Sequence, residues 1–319
     1  MSRRPEYLID RLGGVAGMDP LSEMLALLNV EAALPSRLEA AGDWALQFDG
    51  YADIKVGAVL AGSCWITAAG SEPLLLATGD CYLVASARAF GAASSLDVLP
   101  VDGHAVFEAG GYPETVYYQT TAGAPDQTII VGGAVNFDRT TAALLLDHLP
   151  TTVRIAADSK PAAALRPLLE LLGEEFAHAE PGAASVRDQL TKVLFVHALR
   201  AMIASDNRPS GWLGALGDPS IGPALELLHR DPARRWTVAE LAAKVGLSRS
   251  TFALRFKTLV GMSPLDYLAR WRIQAAGRAL RSTDRTVHSV ATEFGYGSES
   301  AFSNAFKRVT GESPARHRH

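Results

Sequence analysis

The sequence predicts a multi-domain protein: a β-barrel or sandwich with helices after it, then an all-α domain built on two helix-turn-helix motifs. Three observations predict it. Short β segments punctuated by turn residues fill the region from 44 to 137, the charge reverses sign near residue 221, and a stretch close to the C-terminus occurs twice. With 319 residues the chain suits one large domain or two ordinary ones, and 48% hydrophobic against 20% charged residues is globular composition. A disordered, collagen-like or disulfide-scaffold chain is excluded.

The whole chain carries a net charge of −4, but unevenly. From Gly222 to His319 there are 3 Lys and 13 Arg against 8 Asp and Glu, a net +8 that leaves −12 on residues 1 to 221. A mildly acidic total therefore hides a basic segment suited to a polyanion. The start, MSRRPEYLIDR, has charges at Asp10 and Arg11 before any apolar run and does not read as a signal peptide. The longest uncharged stretch, Val56 to Ser71, is too short and too polar to span a bilayer. A soluble, cytoplasmic protein without a membrane partner is expected.

The β segments run Trp44 to Phe48, Ile54 to Thr67, Pro73 to Leu76, Cys81 to Val84, Val116 to Gln119 and Thr128 to Val135. Trp44, Trp65, Tyr82, Tyr117 and Tyr118 are either core residues or the lining of a cavity. The two cysteines, Cys64 and Cys81, cannot build a disulfide framework, and no Cys and His pair has a zinc-site spacing. Placed on adjacent strands, they read either as two small buried hydrophobes or as a redox-sensing pair. Helices follow at Ala162 to Phe176 and Val186 to Ile203, the second aligning Leu190, Val193, Leu194, His197 and Ala201 as a dimer seam or as a cover for the β core. The Pro, Gly and Asp content of SDNRPSGWLGALGDP then marks a linker. The expected domains are thus 1–205, β-rich to about 155 and helical over 160–205, a linker at 206–221, and a basic domain at 222–319.

In that last domain SRSTFALRFKTLVGMSP from Ser248 recurs as SESAFSNAFKRVTGESP from Ser298, with eight identities in 17 positions. Upstream the match continues one residue out of step, with Val238, Leu241, Ala242 and Gly246 answering to Val287, Val290, Ala291 and Gly295. Each copy spells a capped short helix, a glycine turn and a second capped helix, so helix-turn-helix motifs are expected at about 237–260 and 286–310. Phe252 and Phe256, like Phe302 and Phe306, form the buried stripe of the second helix. The opposite face and the helix start then supply base-edge candidates, Arg249, Ser250, Thr251 and Leu254 in one copy and Glu299, Ser300, Ser303 and Asn304 in the other. Ser248, Lys257, Ser298, Lys307 and Arg308 are the phosphate candidates. Between the copies, Ser263 and Pro264 start a helix of about 17 residues, roughly 25 Å long, which would space two recognition helices about 34 Å apart, one turn of DNA. Its Arg270, Arg272, Arg278 and Arg281 read either as internal salt bridges and solvated surface or as phosphate contacts.

The stretches WTVAELAAKVGLSRSTFALRFKTLVGMSPLDYLARWRIQAA and VATEFGYGSESAFSNAFKRVTGESP resemble the DNA-binding region of the AraC/XylS family of transcriptional regulators. WALQFDG, LLLATGDCYLVA and the run from Gly211 to Leu241 resemble the cupin-like sensing region of one branch of that family. The resemblance implies a seven-helix unit with two helix-turn-helix motifs acting on RNA polymerase at promoters, an N-terminal cupin-like effector or oligomerisation domain, and a homodimer. Leu254 and Asn304 stand where family members often carry Arg, which implies a different base preference. Ala315-Arg316-His317-Arg318 lacks the aromatic that commonly follows the final Ser-Pro. The expected function is a sequence-specific transcription regulator, an activator on double-stranded DNA, with a small-molecule effector as a further partner. The rivals are a cupin enzyme fused to a DNA-binding tail and a redox regulator using Cys64 and Cys81. A metal cupin needs clustered His with a carboxylate, whereas only His104 and His148 fall in or beside the β region and no His-x-His occurs. No enzyme, metal or other cofactor is therefore expected.

Overall fold

The computed structural model describes residues 19–28, 33–49, 54–85, 89–120, 127–137, 149–178, 180–205 and 209–318. His148 and residues 206–208 lie outside them. The described residues form two compact units, one made of those between 33 and 209, the other joining residues 19–28 to those from Ser210 onward.

The first unit contains β1 (Ala33–Ala41), β2 (Ala45–Phe48), β3 (Ile54–Ala61), β4 (Ser63–Ala68), β5 (Leu74–Ala77), β6 (Cys81–Val84), β7 (Phe90–Ala93), β8 (Val101–Asp102), β9 (Thr115–Gln119), β10 (Gln127–Val135) and β11 (Thr152–Ile155). They form a six-stranded sheet, order β11-β6-β3-β10-β1-β9, and a five-stranded sheet, order β5-β4-β7-β2-β8. Side chains from both sheets, among them Leu38, Trp44, Leu46, Phe48, Val59, Ile66, Leu76, Tyr82, Phe90 and Val116, fill one apolar core. Each such side chain removed from water contributes about 1.5–3 kcal/mol.

Ile54 to Thr67 is not one strand. At Gly62, with φ of +75°, the chain leaves the six-stranded sheet and enters the other, and burial on both sides of this turn explains the unbroken apolar run. β1, whose ALPSRLEAA lacks strand alternation, lies between β10 and β9. Its Pro35 pairs with Gly133 of β10, while β9 joins only from Arg37 onward, so the missing N–H falls where β1 has a single neighbour. Cys64 and Cys81 are not on adjacent strands: β4 belongs to the five-stranded sheet and β6 to the other, and both thiols are free and buried. Of the aromatic residues, Trp44 and Tyr82 belong to the apolar core and Tyr118 packs against it, while Trp65 is half-buried and Tyr117 is exposed.

A short helix α1 (Pro20–Leu28) precedes these strands, and α2 (Gly103–Ala109) is capped by the Asp102 side chain. α3 (Ala162–Ala177) and α4 (Ala183–Ala204) then form a hairpin, with α4 on β1, β3 and β10. Gly133 permits this seat, because a Cβ there would stand 2.7 Å from Thr191. The expected α4 stripe divides: Leu194 and Ala201 are buried, Leu190 and His197 half-buried, and Val193 exposed beside Val186 on the outer face.

The second unit holds α5 (Trp212–Leu216), α6 (Ile221–Arg230), α7 (Val238–Lys244), α8 (Arg249–Val260), α9 (Pro264–Ser282), α10 (Val287–Glu293), α11 (Glu299–Thr310) and α12 (Pro314–His317). The stretch read as a linker therefore ends earlier: Trp212, Leu213 and Ala215 are buried, and α5 packs on α6 and α8. Its turn residues serve the helix start, where Asp218 accepts the N–H groups of Ser220 and Ile221, each at 2.9 Å. The assignment of all residues before 205 to the sensing domain is also corrected, because α1 packs against α6 and α9. Leu21 and Met24 are buried there, and the Glu23 side chain is 2.7 Å from Nδ1 of His229, whose Nε2 is 2.7 Å from the Tyr267 hydroxyl.

Candidate nucleic-acid interface

Both helix-turn-helix copies are assembled by the same local devices. Thr237 and Thr286 cap α7 and α10, the first as a capping box with Glu240. Gly246 and Gly295 turn the chain at φ of +70° and +80°. At Gly295 a Cβ would also stand 2.4 Å from the Ala233 carbonyl oxygen, so this turn needs glycine for space as well as conformation. Ser248 and Ser298 then cap α8 and α11, their Oγ accepting from the N–H of Thr251 at 3.2 Å and of Ala301 at 3.1 Å. The two phosphate-candidate serines thus also cap the helices, and the exposed helix starts they hold, with their outward N–H groups, attract anions.

Phe252, Phe256 and Val260 bury one face of α8, and Phe302 and Phe306 the matching face of α11. The latter two join Ile273, Leu280, Val290 and Phe294 in a core of their own. The opposite faces are open. Arg249, Ser250, Thr251, Leu254 and Lys257 are exposed on α8, and Glu299, Ser300, Asn304, Lys307 and Arg308 on α11, with Ser303 half-buried at its margin. Leu254 is 70% exposed, an apolar side chain standing in a polar surface. The structure thus brings the candidates of each copy onto one helix face.

Several cations of this unit are held by the fold. Arg255 holds Asp218 at 2.7 Å, Arg234 holds Glu240 at 3.3 Å, and Arg285 pairs with Glu293. Arg272 donates to the Pro232 and Arg234 carbonyls and Arg281 contacts His317, so two of the four arginines of α9 serve the fold. Burial opposes ionisation of Asp218, yet hydrogen bonds from Arg255 and from the α6 N–H groups outweigh it and keep its carboxyl below the usual carboxylate range. Arg255 is thereby fixed to the segment before α6, and with it the pose of α8. Among the described residues, Arg249, Lys257 and Lys307 enter no ion pair, and all three lie on the open faces.

Sequence reasoning missed the buried Glu23, His229 and Tyr267 chain. The ring of His229 also lies 3.8 Å from that of Trp271. Burial outweighs the bond from Glu23 and lowers the pKa of His229, so the neutral imidazole donates Nδ1–H to Glu23 and accepts from Tyr267. One signal was available: His229 sits next to Leu228 on the buried side of amphipathic α6.

Comparison with known proteins agrees with this anatomy. A family described as Helix-turn-helix domain matches residues 241–319, and a Cupin family matches residues 19–204. A putative AraC-like transcription regulator of Streptomyces lividans is 42% identical over 303 residues, covering 94% of this chain and 98% of its own length. The transcriptional regulator AlkR of Acinetobacter baylyi is 29% identical over 305 residues, 94% of this chain and 99% of that one. Among solved structures, the DNA-binding domain of AdpA in complex with a target DNA shares 35% identity across 32% of this chain and 90% of that chain, at a TM-score of 0.30. Two helix-turn-helix copies in one unit, a cupin-like unit on the same chain and full-length similarity to such regulators lead to one conclusion: the chain belongs to the AraC-like family of DNA-binding transcription regulators.

Proposed function

We propose that the protein acts as a homodimeric activator, inserting α8 and α11 of each copy into successive major grooves at a promoter and engaging RNA polymerase there. The observation that carries this reading is the placement of Arg249, Lys257 and Lys307, which enter no ion pair among the described residues, on the open faces of the two repeated helices α8 and α11. Arg249, Ser250, Thr251, Leu254, Glu299, Ser300, Ser303 and Asn304 read base edges. Leu254 suits a thymine methyl, Asn304 an adenine and Glu299 a cytosine amino group. Lys257, Lys307 and Arg308, with the helix starts at Ser248 and Ser298, take phosphates. Val186 and Val193, exposed on the outer face of α4, support a seam between two copies.

The cupin-like unit serves as an effector-responsive module and performs no catalysis, in a protein that works in the cytoplasm. No helix among the described residues is long and apolar enough to cross a membrane. Footprinting on genomic DNA, followed by affinity measurements over a salt series, tests the reading. Protection of two adjacent major grooves on one DNA face, with log K falling about 0.9 per phosphate neutralised for each unit of log salt, is expected. Protection confined to one groove would refute the two-helix placement.

A further inference from the structure

The cupin-like unit buries a guanidinium that its own fold leaves under-used. Arg187, in the second turn of α4, is 5% exposed, and its Nε and Nη1 meet no hydrogen-bond acceptor among the described residues. Its guanidinium carbon lies 4.6 Å from the centre of the Phe176 ring. Nη1 stands 3.5 Å from Oε2 of Glu114, a side chain 60% exposed on the turn before β9. That separation is an ion pair at long range, beyond the roughly 2.7–2.9 Å of a charge-assisted hydrogen bond. Asp80, the other buried charged side chain among the described residues of this unit, is treated differently: it accepts from the N–H groups of Ala77 and Ala157 and from Arg154, each at 2.9 Å.

The surroundings hold Arg187 in place. Thr191 donates its hydroxyl to the Arg187 carbonyl at 2.9 Å, and Thr191 itself sits in the space that Gly133 leaves open. Burial raises the pKa of the Tyr112 phenol, two residues from Glu114, and the Arg187 charge opposes that rise. A buried cation with two idle donors, an aromatic wall and an exposed acid at long range is a receptor for an anion that Glu114 only partly replaces.

We propose that Arg187 binds the carboxylate of a small monocarboxylic acid, which takes the Nε–H and Nη1–H donors and displaces Glu114. This rests on the reading of the unit as effector-responsive and names the ligand class. Glu114 selects for a single negative charge, since a phosphate dianion meets twice the repulsion at that entrance. Phe176 and Tyr112 supply apolar contact for the carbon skeleton. The displaced turn leads directly into β9, the edge strand of the larger sheet, whose residues pair with β1.

Sodium butyrate is the probe, with butanol as neutral analogue and inorganic phosphate at matched ionic strength, titrated into the full chain by calorimetry and thermal shift. Saturable butyrate binding is expected, with butanol and phosphate inert. Arg187→Met should weaken it at least about tenfold, and Glu114→Gln should tighten it about three- to tenfold by removing the competing charge. No butyrate binding, equal binding by Arg187→Met, or preference for phosphate would overturn the site. Should Arg187→Met fail to fold, Glu114→Gln decides, and unchanged or weaker butyrate binding there overturns it. DNA affinity with and without butyrate is measured separately. Binding through Arg187 that leaves DNA affinity unchanged upholds the carboxylate site and removes the effector reading.

Discussion

Unseating α1 should destabilise the DNA-binding unit and leave the cupin-like unit unaffected. Met24 is fully buried, and Glu23 and His229 share a hydrogen bond of 2.7 Å inside the helical core. Met24→Ala removes a long side chain from a packed site and should cost about 2–5 kcal/mol. Glu23→Ala deprives the neutral imidazole of its acceptor, at about 1–3 kcal/mol. His229→Ala is the heavier change at about 3–5 kcal/mol, because it leaves an acid side chain without its partner and strips the Tyr267 hydroxyl as well. The double variant should fall short of the sum by about 0.5–3 kcal/mol, the signature of a shared contact. Urea titration followed by tryptophan fluorescence is the assay, since Trp271 lies against His229. Acidity should act at the same place. Burial lowers the His229 pKa, so on acidification the unfolded chain takes a proton before the folded one does. The neutral imidazole's contribution is complete above about pH 6.5 and is lost as the pH falls below it; His229→Gln should flatten that slope. Losses under about 0.5 kcal/mol from both Met24→Ala and Glu23→Ala, or losses confined to the cupin-like unit's transition, would refute the reasoning.

Three further outcomes are expected. Lys257→Ala and Lys307→Ala should each weaken binding to every DNA sequence and reduce the salt slope by about 0.9, as read by fluorescence anisotropy across a salt series. Asn304→Ala should relax preference at a single base pair, worth about 1–3 kcal/mol of discrimination; an unaltered preference in a selection from random DNA would mean that α11 is misplaced on the groove. Burial pushes the thiols of Cys64 and Cys81 up to about 12, so almost no thiolate exists at neutral pH. A thiol-reactive dye should label both only after unfolding, and an oxidant response of DNA affinity that disappears in the Cys64→Ser, Cys81→Ser variant would reinstate the redox reading.

The helix-turn-helix pairs were legible because each rests on local rules: a capping oxygen, a glycine at positive φ and an aromatic stripe four residues apart. Duplication displayed those rules twice. The first unit was only partly legible. Thr128 to Val135 and Cys81 to Val84 were found within a residue of β10 and β6, where apolar runs stand between turn residues. β1 was not, since its Pro35 and Glu39 carry no strand signal and long-range pairing with β10 and β9 holds it. The placement of α5 was misread because Gly, Pro and Asp mark helix ends as readily as linkers. On the recognition helices, helical periodicity sufficed to assign the open faces. It could not show that Arg255 is spent on Asp218 while Lys257 is not, a distinction set by a partner 37 residues away. The burial of Arg187 was equally hidden, for nothing in its sequence neighbourhood distinguishes it from a solvated helix arginine.

Because α1 belongs to the helical unit, synthesis itself imposes an order on folding. Glu23 and His229 are 206 residues apart. At about 5–20 residues per second, α1 waits on the order of 10–40 s after it is made before His229 exists. During that interval Leu21 and Met24 have no seat, and the strands are completed first. The DNA-reading surface therefore matures only when nearly the whole polypeptide has been translated, so truncated products should carry an assembled cupin-like unit without a competent reader. A fusion or tag that blocks residues 19–28 should handicap DNA binding from the opposite end of the sequence.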